Sequence, residues 1–135
     1  MRWFVIAIVA VTALAGATFA FASAGSEGDQ GTGTAYALVD PNGDVPQLIG
    51  AHTNGFIAVS SPIPGIYCLT PATGVDVAHT AAVASEEAFY SNALGFPTVR
   101  YDANHVNCTV KQLEVKTFDQ SAALTSQIAF TVNVP

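Results

Sequence analysis

From residue 34 onwards, hydrophobic and polar residues alternate in short runs that Gly, Pro, Asn and Asp residues separate. Alternation with a period of two is typical of strands that bury one face, and turn signals roughly every ten positions are typical of sandwiches and barrels. The runs are "TAYALVD", "PQLIGAHT", "FIAVSS", "IYCLT", "VAHTAAVASEE", "PTVRYD", "QLEVKTF" and "IAFTVNV". The pattern predicts an all-β domain over residues 35–135, a single antiparallel, jelly-roll-like β-sandwich of about eight short strands.

The segment "DPNGD" follows the first run and has the chemistry of a hairpin turn. Proline fixes φ, and Asn42-Gly43 tolerates positive φ, so we predict that "PQLIG" returns as a paired strand. Asp40, Asn42 and Asp44 also resemble the start of a calcium loop, but an EF-hand requires glycine at the sixth place, where Val45 stands. We therefore predict a turn, and a weak surface cation site stays open.

Two segments have some features of a helix, Ser85–Asn92 and Asp119–Ser126. The second has an Asp at its start that can cap a helix, but it is only about two turns long. We expect one short helix or a loop at these positions and no more. The rest of the mature chain is expected to be strands and turns.

The alternation changes phase late in the chain. Hydrophobic residues in "VNCTV" occupy even positions, whereas Leu113 and Val115 in "QLEVKTF" are odd. Because successive strand residues point to opposite faces, Glu114 and Lys116 are expected on the face opposite Leu113 and Val115. A bulge or break near residues 111–112 would reconcile the two phases.

The N-terminus has the order of a secretory signal peptide. Arg2 precedes an apolar run over residues 3–22, and the small residues Ala22-Ser23-Ala24 provide a cleavage site. We expect a signal peptide over residues 1–24, cleavage after Ala24, and a flexible Gly-rich leader over residues 25–34. Since the run approaches the ~20 residues that span a bilayer, an uncleaved anchor is the alternative. Both interpretations place the domain outside the cytoplasm, secreted or membrane-anchored.

Cleavage would leave an acidic domain. Only Arg100, Lys111 and Lys116 would remain against ten acidic residues, which gives a net charge of −7 with neutral histidines. Nucleic-acid binding requires clustered cations that neutralise phosphates, and a polybasic membrane-surface domain requires them as well. The composition therefore predicts an acidic exported protein without a nucleic-acid partner, and a membrane partner only if residues 3–22 are retained.

The chain has two cysteines, Cys68 and Cys108. In an oxidising compartment an even count favours pairing, and two cysteines allow a single intramolecular bridge. That bridge would close a loop of about 40 residues and contribute roughly 4 kcal/mol in the chain-entropy model. A reactive thiol requires an activating base, and "GIYCLTP" contains no ionisable neighbour of Cys68. We therefore predict a structural disulfide, although sequence cannot establish that the two cysteines meet.

The three histidines, His52, His79 and His105, are the candidate metal ligands. They lack the i, i+2 or i, i+4 spacing that places two imidazoles on one side of an element, so we expect solvated or hydrogen-bonded histidines and no metal. A secreted hydrolase that uses His79 or His105 with Asp102 is the least favoured hypothesis. The chain has no G-x-S-x-G elbow, and we assign no catalytic residue and no cofactor.

Other polar and aromatic candidates have plainer interpretations. Glu86 and Glu87 are adjacent, so in a strand they would point to opposite faces and make a poor catalytic pair. "NCT" at Asn107 matches a glycosylation sequon around a cysteine that we expect in a disulfide. Nine aromatic residues of the domain could line a cleft, but core packing is the default. They are Tyr36, Phe56, Tyr67, Phe89, Tyr90, Phe96, Tyr101, Phe118 and Phe130.

The runs "YALVDPNG", "GFIAVSSPIPGIYCLTP", "LEVKTFD" and "IAFTVNVP" resemble a group of small, uncharacterised exported bacterial proteins. That group has a G-x-Y-C strand and a terminal F-T-V-x-V-P strand, and similar patterns occur in C-terminal β-domains of phage-tail-like and cell-surface proteins. The resemblance implies a β-sandwich with a Cys68–Cys108 bridge and a bacterial, actinobacterial host. It implies no catalytic activity.

Two functional hypotheses from different classes follow. The first is an exported non-catalytic β-domain with a structural, adhesive or interaction role, whose partner is a cell-surface component, a glycan or a second copy of the chain. The alternative is a small apolar or carbohydrate ligand-binding protein with a cleft lined by aromatic residues. A deep apolar pocket would favour the alternative, and a filled interior would count against it.

Overall fold

The computed structural model describes residues 34–41, 45–101 and 106–135. The predicted signal peptide over residues 1–24 and nearly all of the predicted leader lie outside these ranges. So do the tip of the first predicted turn, with Asn42 and Asp44, and the candidate residues Asp102 and His105. Within the described ranges, no helix has the length and hydropathy needed to cross a bilayer.

The described residues form eight strands and one short 3-10 helix, as the alternation predicts. The strands are β1 (Ala35–Asp40), β2 (Gln47–Leu48), β3 (Phe56–Ile63), β4 (Ile66–Pro71), β5 (Val83–Glu86), β6 (Gly95–Tyr101), β7 (Leu113–Asp119) and β8 (Phe130–Val134). The 3-10 helix is Gly50–His52, between β2 and β3. The prediction of an all-β chain is confirmed for this part of the molecule.

The strands form two antiparallel four-stranded sheets. Sheet A has the order β2-β1-β8-β5, and sheet B has the order β3-β4-β7-β6. Three hairpins, β1–β2, β3–β4 and β6–β7, keep consecutive strands in one sheet. The first and last strands of the domain pair in the centre of sheet A, from Ala35 opposite Val134 to Val39 opposite Phe130. Backbone pairing along the whole of β8 therefore joins the first and last strands of the domain.

One hydrophobic cluster draws on both sheets. Alternate residues of β1, β4, β7 and β8 point into it, which is why these strands show the clearest alternation in the sequence. Its centre includes Tyr67 of sheet B and Phe130 of sheet A, whose ring centroids are 5.1 Å apart. The buried members of the cluster are Ala35, Ala37, Val39, Phe56, Tyr67, Leu69, Val77, Leu113, Val115, Phe130, Val132 and Val134.

Some predicted strands are shorter than their hydrophobic runs. In "VAHTAAVASEE" only Val83–Glu86 is a strand. The start of the run turns instead, because the Asp76 carboxylate accepts hydrogen bonds from the backbone N–H groups of Ala78 and His79 at 3.0 and 3.2 Å. An Asp side chain that binds the backbone two and three residues ahead competes with strand pairing. The return arm "PQLIGAHT" likewise pairs only at Gln47–Leu48.

The two segments with helix features are not helical. Ser85 and Glu86 belong to β5, and the following residues form a turn. At Asp119–Ser126 the Asp119 carboxylate accepts hydrogen bonds from the N–H groups of Ser121 and Ala123. This carboxylate closes a turn rather than starting a helix, which is the loop alternative of the prediction.

The predicted break near residues 111–112 is a tight turn. Lys111 has a φ of 70°, and the N–H of Gln112 donates to the Thr109 carbonyl at 3.2 Å. A second hydrogen bond joins the same two residues, because the Gln112 side-chain Oε1 accepts from the N–H of Thr109 at 2.8 Å. The turn separates the disulfide segment from β7 and explains the change of phase.

Candidate functional site

A cleft lies on the outer face of sheet A. Its floor comes from neighbouring positions of β1 and β8, where Tyr36 is paired in register with Asn133, and Leu38 with Thr131. The alternate residues of both strands fill the core, so these four side chains must face outward. Tyr36 is 42% exposed. The cleft floor is therefore a rigid part of the ladder that joins the two ends of the domain.

One wall of the cleft is the turn after β5, which carries Phe89 and Tyr90. Their rings meet edge to face with centroids 5.0 Å apart, and Phe89 is 84% exposed. The turn is anchored through Glu87, whose N–H donates to the Ala129 carbonyl at 2.9 Å. Its Oε2 accepts from the N–H of Tyr90 at 2.9 Å. These bonds anchor the backbone of the turn, which carries the exposed Phe89 ring next to the half-buried Tyr90 ring.

His52 supplies the other side of the cleft. It ends the 3-10 helix, which lies beyond β1 on the side away from β8. Backbone bonds tie this segment to β1, with Tyr36 N–H donating to the Asn54 carbonyl at 2.8 Å and Asn54 N–H to the Tyr36 carbonyl at 2.7 Å. Since His52 and Phe89 come from opposite sides of the β1–β8 pair, the cleft runs across the sheet.

The cleft has a volume of about 510 Å³ and a mixed lining. Tyr36, Phe89 and Tyr90 contribute aromatic rings, while His52, Glu87, Thr131 and Asn133 contribute hydrogen-bonding groups. Among the described residues, neither a lysine nor an arginine lines the cleft. Such a surface can bind a ligand that has apolar faces and hydroxyl groups, and it lacks the cations that anionic ligands require.

A second cleft of about 780 Å³ lies at the end of sheet B where β4 and β6 finish. Residues 70–78 and 109–112 line it, together with Tyr101. Asp76 and Lys111 are its charged groups. It presents one aromatic ring where the cleft on sheet A presents three, and residues 102–105 beside Tyr101 lie outside the described ranges. The cleft on sheet A is the stronger candidate.

The sequence predicts Glu114 on the polar face of its strand, opposite Leu113 and Val115. The structure instead buries this side chain. Its side chain has no exposed surface. Arg100 Nε donates to its Oε1 at 2.7 Å, Asn107 Nδ2 donates to its Oε2 at 2.7 Å, and Lys116 Nζ lies 3.5 Å from Oε1. Buried carboxylates are tolerated when they are paired and hydrogen-bonded in this way.

These partners set the ionisation of Glu114. Burial raises the pKa of the carboxyl, but the hydrogen bonds from Asn107 and Arg100 and the charge of Lys116 outweigh it, so the net pKa of Glu114 is lowered. The group is an anion at neutral pH. It acts as a structural connector, since its oxygens are occupied by three side chains and none faces an open cleft.

Cys68 and Cys108 form the predicted disulfide, with Cα atoms 5.4 Å apart. Cys68 is paired in register with Glu114 across β4 and β7, so both side chains lie on the outer face of sheet B. The disulfide therefore fixes the segment around Cys108 over this face, next to the Asn107–Glu114 hydrogen bond. Disulfides persist in oxidising compartments, which agrees with a location outside the cytoplasm.

The candidate catalytic and metal residues are dispersed. His79 Nδ1 lies 2.8 Å from Asp76 Oδ2 at an exposed position, and this contact lowers the pKa of Asp76. His52 lies apart from this pair, in the cleft on sheet A. Among the described residues, no group of three or more His, Cys, Asp or Glu side chains is placed to hold a metal ion. The proposed partners Asp102 and His105 lie outside the described ranges.

The other candidates have structural roles. Glu86 ends β5, whereas Glu87 begins the turn of the cleft wall, so the adjacent carboxylates serve different elements. The Asn107 amide of the sequon is occupied by Glu114. Phe56, Tyr67 and Phe130 belong to the core. Phe96 and Phe118 stack at 5.4 Å on sheet B.

Comparison of the chain with protein-family models, with curated proteins and with solved structures finds no match. Any inference about its function must therefore rest on its own sequence and structure. The adjacent pair "FY" at Phe89-Tyr90, in a segment with weak alternation, is the one sequence signal that could have identified the cleft.

Proposed function

We propose that the chain is an exported, non-catalytic β-domain that acts by binding a component of the cell surface through the cleft on sheet A. The observation that carries the proposal is the pair of adjacent aromatic rings, the exposed Phe89 and the half-buried Tyr90, on a turn that Glu87 anchors beside a floor of paired strands. Exposed aromatic residues held in place on a rigid element are typical of binding surfaces. Adhesion or interaction is the role that such a surface serves.

The rest of the molecule supports an exported scaffold. In this proposal the two sheets form a sandwich of the jelly-roll type, and the disulfide maintains it in an oxidising environment. Cleavage after Ala24 releases a domain with a net charge of −7, which favours solubility. The producing organism is a bacterium, in line with the resemblance of the strand patterns to small exported bacterial proteins.

The alternative of a carrier with an interior apolar pocket has less support. The large side chains between the sheets are fully buried, and Tyr67, Leu69, Leu113, Phe130 and Val132 fill the space. A ligand would therefore bind at the surface and not between the sheets. The ligand-binding hypothesis then concerns which ligand the cleft on sheet A recognises.

Export is tested by intact mass of the protein recovered from a bacterial culture, with and without reduction and alkylation. We expect a chain that begins at Gly25 and gains two alkyl groups only after reduction. A full-length mass would show that the predicted signal peptide is not cleaved and would indicate a membrane-anchored domain instead of a released one. Alkylation of two thiols without reduction would contradict the disulfide.

Surface binding is tested by co-sedimentation of the secreted domain with washed cells of the producing bacterium. We expect retention that falls at least tenfold in Phe89→Ala and in Tyr90→Ala. The control is Ile57→Ala, which removes a side chain 68% exposed on the edge strand β3 of sheet B. Equal retention of all four proteins, or no retention of the wild type, would contradict the proposal.

A further inference from the structure

We infer that the ligand of the cleft on sheet A is an uncharged carbohydrate chain, bound along the outer faces of β1 and β8. This inference rests on the proposed function, because it names the chemical class that the same surface recognises. It is carried by the juxtaposition of three aromatic rings with four hydrogen-bonding side chains in one open cleft of about 510 Å³.

The aromatic rings match the apolar faces of sugar rings. A pyranose presents C–H groups on its faces, and these carry partial positive charge that the negative face of an aromatic ring attracts. Tyr36 is part of the floor, and Phe89 and Tyr90 stand at one wall. Phe89 is 84% exposed, and its turn is anchored by a backbone bond from Glu87 to Ala129. The exposed ring on this anchored turn is available for stacking.

The polar side chains match the hydroxyl groups of the same ligand. Asn133 can donate and accept at once, and Thr131 and His52 offer further hydroxyl and imidazole contacts. Glu87 also lines the cleft, although its Oε2 already accepts from the Tyr90 N–H. A polyhydroxylated chain uses the rings and these groups together.

Other ligand classes fit less well. Phosphorylated or carboxylated ligands require cations, and no lysine or arginine in the described part of the chain lines the cleft. An organic cation such as a quaternary ammonium would use the rings and Glu87, but it would make no use of the hydrogen-bonding groups of His52 and Asn133. The cleft is open and crosses the sheet, which suits a chain longer than a single small molecule.

The test is calorimetric titration of the secreted domain with defined uncharged oligosaccharides, β-1,4-linked glucose and N-acetylglucosamine hexamers and an α-linked mannose hexamer, with tetramethylammonium as the cationic probe. We expect saturable binding of at least one oligosaccharide. Tyr36→Ala, Phe89→Ala and Tyr90→Ala should each weaken it tenfold or more. The control variant Ile57→Ala should bind as the wild type does.

Ionic strength separates the two remaining chemistries. Salt screens the attraction between Glu87 and an organic cation, so the affinity for tetramethylammonium should fall as salt is raised from about 0.05 to about 0.5 M, whereas binding of an uncharged oligosaccharide should change less than threefold. Binding of tetramethylammonium and none of the oligosaccharides would overturn the inference. Retention on cells that requires Phe89 but is not competed by soluble wall polysaccharide would also overturn it, and would leave the proposed function standing.

Discussion

Asn107 Nδ2 donates a hydrogen bond of 2.7 Å to Oε2 of Glu114, a carboxylate that has no exposed surface. The next residue, Cys108, is bound covalently to Cys68 on the neighbouring strand. One short segment is therefore attached twice to the outer face of sheet B, once through a carboxylate and once through a disulfide. The burial of Glu114 follows from this attachment.

Replacement of Glu114 tests the first attachment. Glu114→Gln removes the charge that Arg100 and Lys116 neutralise and places an amide against the Asn107 donor. We expect a loss of about 1–3 kcal/mol in the free energy of unfolding, because the hydrogen bonds to a buried charged group are lost. Urea denaturation at pH 7 measures it. Thr98→Val, on the exposed face of β6, is the control, and an equal loss in both variants would contradict the role of Glu114.

The acid sensitivity of the domain should depend on Glu114. Its pKa is lowered in the folded state from the ordinary 4.5, so its contribution is fully present above pH 4.5 and is lost as the pH falls through the folded value. The difference in unfolding free energy between wild type and Glu114→Gln should therefore be greatest near neutrality and shrink below pH 4.5. A difference that grows on acidification would have the wrong sign. The lowered pKa values of Asp76 and Asp119 affect both proteins alike.

Loss of the disulfide should destabilise the domain strongly. Cys68 and Cys108 are 40 positions apart, for which the chain-entropy model gives about 4 kcal/mol. We expect the Cys68→Ala, Cys108→Ala double variant to lose roughly 2–5 kcal/mol. Hydrogen exchange should show the earliest loss of protection in residues 106–112, since the disulfide attaches this segment. Uniform loss of protection across both sheets would argue that the bridge acts only on the unfolded state.

Gly95 should not tolerate a side chain. A Cβ there would lie 2.0 Å from the Phe118 carbonyl oxygen, which belongs to the paired strand β7. The backbone cannot yield without breaking the β6–β7 ladder, so Gly95→Ala should cost at least about 1–3 kcal/mol through overpacking. Gly50→Ala, where nothing lies within 4 Å of the added atom, should change the unfolding free energy little. Thermal unfolding of the two variants side by side provides the comparison.

The sequence by itself determined much of the local structure. Period-two alternation identified the strands, because a strand that buries one face must alternate, and each of the eight hydrophobic runs contains one strand. Two strands are shorter than their runs: "PQLIGAHT" pairs only at Gln47–Leu48, and in "VAHTAAVASEE" the Asp76 side chain binds the backbone and the strand begins only at Val83. The two cysteines leave one possible intramolecular pairing, but only the structure shows that their Cα atoms lie 5.4 Å apart and that the bridge forms.

Only the tertiary structure decided the order of strands and the surroundings of each side chain. Alternation shows that Glu114 faces away from Leu113, but it cannot show that a segment bound through Cys108 covers that face. It also cannot show that Tyr36 and Phe89, 53 positions apart in the sequence, line one cleft. Register and packing join residues through space, and periodicity carries information only along the chain.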